Sequence, residues 1–174
     1  MESLGLPFKV LASNFDEEQI QAEDVRELVV AIAKGKADIL ANQYPNDLII
    51  TADSNNFFDG RNYGNPKSRE QAKQWLMLMA GKSQEFHTGL VLTLRASDKQ
   101  TVDLNTSVFT FKPFSARELD NYLAKIDPTS MAIGWSMDDG GDALLERFDG
   151  EPGAERALPL DTLRNRLREF GIAV

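Results

Sequence analysis

The chain has 174 residues, a formal net charge of -8, an apolar fraction of 42%, no cysteine and a single histidine. That length supports a domain with its own core. The acidic balance excludes binding to nucleic acid or an anionic membrane through clustered Lys and Arg, and the absence of thiols excludes disulfides, a thiolate nucleophile and a Cys-based zinc site.

Strand-like and helix-like segments alternate, with no repeat, low-complexity tract or long linker. No apolar run reaches membrane-spanning length and the opening Met-Glu-Ser-Leu-Gly-Leu-Pro-Phe lacks the form of a signal peptide, so a cytoplasmic protein is expected. A short strand is predicted at Phe8–Leu11, then a helix over Ala22–Asn42. Leu48–Ala52 reads as a buried strand. A second helix opens at Ser68, where Gln71 three residues on matches a capping box. It shows an apolar face of Ala72, Trp75, Leu76 and Met79 and stops at Gly81. Two long strands, Glu85–Arg95 and Thr101–Lys112, flank a polar turn and read as a hairpin. Ser115 and Glu118 form a second capping box ahead of Leu119, Tyr122 and Leu123. Further strands are predicted at Ala132–Ser136 and Ala143–Phe148. A last helix runs from Asp161 through Leu163, Leu167 and Phe170 to Gly171. The sum is one α/β domain over residues 1–174, a mixed twisted sheet flanked by helices.

Several polar residues stand out from this frame. Asp53 directly follows the apolar run Leu48–Ala52, and the C-terminal ends of strands are where α/β sites form. A carboxylate there can ligate Mg²⁺ or orient a water; it can equally cap the turn that follows. Lys36 shares one helical stripe with Val25, Val29, Ile32 and Ile39. A lysine in an apolar stripe either finds an anionic partner, for which a phosphate is suited, or snorkels to solvent. Asp16, Glu17 and Glu18 precede that helix, where acids favour its N-terminus; one of them becomes a metal ligand if the fold brings it to Asp53. Met137–Asp142 places three acids around two glycines. It is a solvated turn, or it offers a carboxylate whose two oxygens match the paired donors of a guanine edge. Trp135 beside it either packs in the core or stacks on a base, a cationic methylated guanine above all. His87 has no second metal-ligand type beside it and reads as a surface histidine or a satisfied one.

These segments, in this order, resemble the Maf family of nucleoside triphosphate pyrophosphatases along nearly the whole chain. Asp16-Glu17 and Lys36-Ala37 stand at the family spacing, followed by Tyr44-Pro45, Leu48-Ile49-Ile50 and Asp53. Asp59-Gly60, Gly64-Asn65-Pro66, Gly81, Thr88-Gly89, Phe114-Ser115 through Tyr122, Glu146 through Gly150, and Leu158-Pro159-Leu160 follow in register. Asp138, in place of a glutamate, together with Asn121-Tyr122 and Glu151-Pro152, is most similar to the 7-methyl-GTP branch. Ala52-Asp53-Ser54 stands between that branch and the dTTP/UTP branch.

The resemblance implies cleavage of a nucleoside triphosphate such as 7-methyl-GTP to the monophosphate and pyrophosphate, with Mg²⁺ or Mn²⁺, by a cytoplasmic homodimer. It implies Asp53 as general base and metal contact, Glu17 as metal ligand and Lys36 as the neutraliser of phosphate charge. Ser54 and Asp138 would line the base pocket, beside Trp135 if that ring stacks on the base. Asn65 stands where the family carries a phosphate-binding lysine, and Gln84 where it carries a histidine. The family pattern opens with a strand and a Ser-x-x-Arg-Arg loop that grips the triphosphate. The present sequence starts after that loop, so a site short of that grip and a sheet without that first strand are expected. Since such sites work by positioning and charge neutralisation, the alternative expectation is a catalytically impaired relative that binds nucleotide or serves as a dimeric interaction module.

Overall fold

The computed structural model describes residues 4–174; Met1–Ser3, part of the opening stretch read above as no signal peptide, lie outside it. Five strands form a sheet in the order β2-β1-β3-β4-β5. They are β1 (Ile49–Phe58), β2 (Arg61–Tyr63), β3 (Ser83–Leu94), β4 (Lys99–Phe111) and β5 (Leu145–Asp149). The β1–β2 and β4–β5 pairs are antiparallel. Four α-helices accompany them: α1 (Val25–Gln43), α2 (Arg69–Met79), α3 (Ala116–Leu123) and α4 (Leu160–Glu169). The class is α/β, as the alternation of segments predicts. The chain gathers into two compact units, one of residues up to Asp53 with Thr88–Asn105 and Glu151–Val174, the other of Ser54–His87 with Thr106–Gly150.

In the first unit, Asp24 caps α1, its carboxylate accepting from the Arg26 N–H at 2.8 Å. The buried face of α1 is Val25, Val29, Ile32, Ala33, Ala37, Leu40 and Ala41, a stripe at helical spacing. Its small members Ala33 and Ala37 pack on Val91. The approach is close enough that a Cβ on Gly89 would lie 2.6 Å from the Val29 carbonyl oxygen. Thr51 ties β1 to the same helix by donating its hydroxyl to the Ala33 carbonyl at 2.8 Å. Leu90 and Leu92 alternate with Val91 along β3 and pack instead against Leu163 and Leu167 of α4, as the period of two along a strand requires. Pro159 gives α4 no side-chain cap. Glu151 supplies one from outside, accepting from the Thr162 N–H and hydroxyl at 2.7 Å each and from the Asn105 amide at 2.6 Å.

The second unit has an aromatic core. Phe109 and Phe111 are fully buried, and Trp135 meets both edge-on with centroids 5.1 and 5.3 Å away. Ala72, Leu76 and Met79 of α2 and Leu119, Tyr122 and Leu123 of α3 are buried as well. The capping box at Ser115 and Glu118 is complete. At α2 it is half made: Ser68 accepts from the Gln71 N–H, while the Gln71 side chain turns to the Lys67 N–H at 2.6 Å.

Three predicted features differ. Phe8–Leu11 is extended but joins no strand, and Val10 is 86% exposed; alternating apolar residues make a strand only where a neighbour takes the backbone bonds. Ala132–Ser136 is a set of tight turns, with Ile133 at φ +52° and its N–H donated to the Gly64 carbonyl at 2.8 Å. β1 does not stop at Ala52 but runs through Asp53-Ser54-Asn55-Asn56 to Phe58. These are poor strand formers, kept extended by pairing such as Asn56 with Tyr63 of β2. Asp53 therefore projects from the middle of a strand.

Candidate functional site

The first unit brings together Glu17, Lys36 and Asp53. The Lys36 ammonium lies 2.7 Å from a Glu17 carboxylate oxygen and 2.7 Å from Asp53 Oδ1. Lys36 is on the β1-facing side of α1, between Ala33 and Ala37, and Asp53 is one strand position pair beyond Thr51, which bonds to Ala33. The partner that a lysine in this stripe requires is thus a carboxylate pair. Lys36 and Asp53 side chains are 20% and 14% exposed, Glu17 50%.

Local structure explains why Glu17, among three adjacent acids, reaches Lys36. Phe15 lies over Gly35 so closely that a Cβ there would be 2.3 Å from its ring. That contact anchors the segment one helical position from Lys36. Asn14 enters it at φ +52°, a conformation asparagine tolerates. Asp16 is used locally, accepting from the Glu18 N–H at 3.2 Å and the Gln19 amide at 2.9 Å to cap the short helical turn Glu17–Gln19. The contribution of Phe15 and Gly35 was not read from the sequence. A glycine next to the single lysine of an apolar stripe was the available signal.

Charge and burial set the protonation of the cluster. Burial pushes the Asp53 carboxyl up, the hydrogen bond and charge of Lys36 pull it back, and the Glu17 charge pushes it up again, leaving it above its usual 3.8. Burial pulls Lys36 down, but its bonds to Asp53 and Glu17 outweigh this and hold the ammonium above 10.5.

The donor set fits a hard divalent ion of the Mg²⁺ kind. Two carboxylate oxygens converge on one point, and such ions take one or two protein carboxylates and complete their shell with water and phosphate oxygens. Among the described residues there is no group of three His, Cys, Asp or Glu able to hold a metal by themselves, which is the arrangement a caged structural ion would need.

The other expected site residues lie in the second unit. Ser54 is half-buried, Asn65 and Asp138 are exposed. Asp138 sits on a turn closed by the Gly141 N–H donating to the Ser136 carbonyl at 3.0 Å. The turn is pinned again where the Ser136 N–H donates to the Tyr122 hydroxyl at 2.8 Å. Trp135 is 8% exposed, ringed by Phe109 and Phe111, and donates its indole N–H to the Gly141 carbonyl at 2.9 Å. Of its two readings, this placement is core packing. His87 is also buried, bonded to the Thr106 hydroxyl at 2.9 Å and 3.0 Å from Glu85, which is the satisfied rather than the surface reading. Glu151, one of the branch-like residues, is occupied as the α4 cap.

Order and spacing of these residues agree with a match over the chain. The family model described as "Maf-like protein" covers residues 1–170, and the chain belongs to that family. The dTTP/UTP pyrophosphatase of Acholeplasma laidlawii (strain PG-8A) is 30% identical over 173 residues, spanning 99% of this chain and 90% of that protein. Two proteins named nucleoside triphosphate pyrophosphatase are also similar. That of Synechococcus sp. (strain JA-2-3B'a(2-13)) is 34% identical over 176 residues, spanning 100% of this chain and 89% of its own length. That of Synechococcus sp. (strain JA-3-3Ab) is 35% identical with the same coverage, 100% and 89%. No helix among the described residues is long and apolar enough to cross a membrane.

Proposed function

We propose that the protein is a divalent-metal-dependent nucleoside triphosphate pyrophosphatase, releasing a nucleoside monophosphate and pyrophosphate. The observation that carries this reading is the convergence of Glu17 and Asp53 on the Lys36 ammonium. Asp53, with its carboxyl raised by burial, accepts the proton of the attacking water. The water oxygen forms a new P–O bond as the bridging bond of the α–β anhydride breaks, and pyrophosphate carries away the electron pair. Lys36 neutralises charge on the phosphate oxygens in the transition state. Glu17 and Asp53 would hold the metal, which when bound polarises phosphate oxygens and lowers the pKa of a coordinated water.

The base is the finer part of the proposal. Asp138, an exposed carboxylate on a pinned turn, supports a guanine-type substrate such as 7-methyl-GTP, with Ser54 as a further base contact. The name of the Acholeplasma relative points to dTTP and UTP instead. Pyrophosphate release from a panel holding 7-methyl-GTP, dTTP and UTP, with Mg²⁺ or Mn²⁺, decides between them. Asp53→Asn is expected to lower turnover about 10²–10⁴-fold. In the wild type the acid limb of kcat/KM is expected to be displaced upward from that of an ordinary aspartate, because burial raises the Asp53 carboxyl. Binding of nucleotide with no pyrophosphate release from any member of the panel would instead establish the impaired relative.

A further inference from the structure

Lys36 stands where the two carboxylates proposed above to hold the metal meet. Each carboxylate oxygen is 2.7 Å from Nζ, so the two oxygens are at most twice that apart, and an ion touching both has to lie between them. An ion at the 2.0–2.1 Å contact distance of Mg²⁺ (roughly) cannot share that point with an ammonium group. Two cations so close would also repel strongly in a partly buried site. Among the described residues, both ion pairs of Lys36 run to these same two carboxylates.

We propose that Lys36 is an internal counter-ion that bars the divalent ion from Glu17 and Asp53 until a triphosphate draws the lysine away. The metal then enters with the nucleotide, whose phosphate oxygens replace the carboxylates as partners of Lys36. This rests on the pyrophosphatase reading and adds to it an order of binding. It also gives Lys36 two duties, offsetting carboxylate charge in the empty site and then neutralising phosphate.

Mn²⁺ binding followed by electron paramagnetic resonance tests it without turnover. The neutral variant Lys36→Met, with no nucleotide, is expected to bind Mn²⁺ about tenfold or more tightly than the wild type. The wild type is expected to gain comparable affinity once an α,β-methylene nucleoside triphosphate is added. Wild-type protein that binds Mn²⁺ without nucleotide as tightly as with it would overturn the proposal, and this arm holds even if the variant does not fold. Equal affinity of variant and wild type would overturn it too, while leaving pyrophosphate release by the wild type untouched. Failure of both proteins to bind Mn²⁺ under any condition would remove the metal reading and the proposal together.

Discussion

Replacing Lys36 by methionine keeps the apolar stem of the side chain, one atom shorter, and removes its charge. The structure then leaves two carboxylates facing each other, each formerly 2.7 Å from the same nitrogen, one of them 14% exposed. At an effective dielectric of about 20, unit charges about 5 Å apart repel by roughly 3 kcal/mol. Glu17 is half exposed and can swing toward solvent, so the net destabilisation expected at neutral pH is about 2 kcal/mol, on the low side of what breaking a buried pair costs. Adding Glu17→Gln to the variant removes the repulsion and is expected to return about 1 kcal/mol or more. Urea unfolding followed by far-ultraviolet circular dichroism, in chelator, measures both differences. A divalent cation is expected to restore stability to the single variant in proportion to its binding. A Lys36→Met protein as stable as the wild type in chelator, or one that gains nothing from Glu17→Gln, would refute the reading of this cluster as a mutually dependent charge triad.

Two further outcomes follow from the packing. Gly89→Ala would place a Cβ within 2.6–2.8 Å of the Val29 carbonyl and the Val30 nitrogen, all backbone, so α1 must shift off β3. A loss of about 1–3 kcal/mol in urea unfolding is expected, with loss of activity as Lys36 moves, and an unchanged midpoint would contradict the close approach. Tyr122, one of three tyrosines, is pushed up to about 12, chiefly by burial. A raised folded pKa means that stability is fully present below the ordinary value of 10.0 and is lost as pH rises toward 12. Tyrosinate absorbance should therefore show one late-ionising group that Tyr122→Phe removes, and the variant should lose less stability than the wild type over that window. Simultaneous ionisation of all three near the ordinary value would count against the burial assigned to Tyr122.

The sequence by itself determined the elements whose signals are local. The caps at Ser68 and Ser115 and the stripes of α1 and α4 need no distant partner to be read, because helix spacing and side-chain caps act within a few residues. It also marked Asp53 and Lys36, while Glu17 stood apart from its two acidic neighbours only through the family resemblance. Tertiary structure decided the rest. Phe8–Leu11 carries a strand pattern without a sheet neighbour, whereas Asp53–Asn56 lacks the pattern and is a strand because β2 pairs with its far end. Trp135 was open between a base and the core until Phe109, Phe111 and the Gly141 carbonyl filled its surroundings. Which of three adjacent acids meets Lys36 depends on Phe15 lying on Gly35, a contact 20 residues apart in the chain. Strand edges, ring packing and charge convergence are long-range properties, set by which surfaces the folded chain brings within a few ångströms. That is why the residues of the triad were visible in the sequence, but the lysine held between its two carboxylates was not.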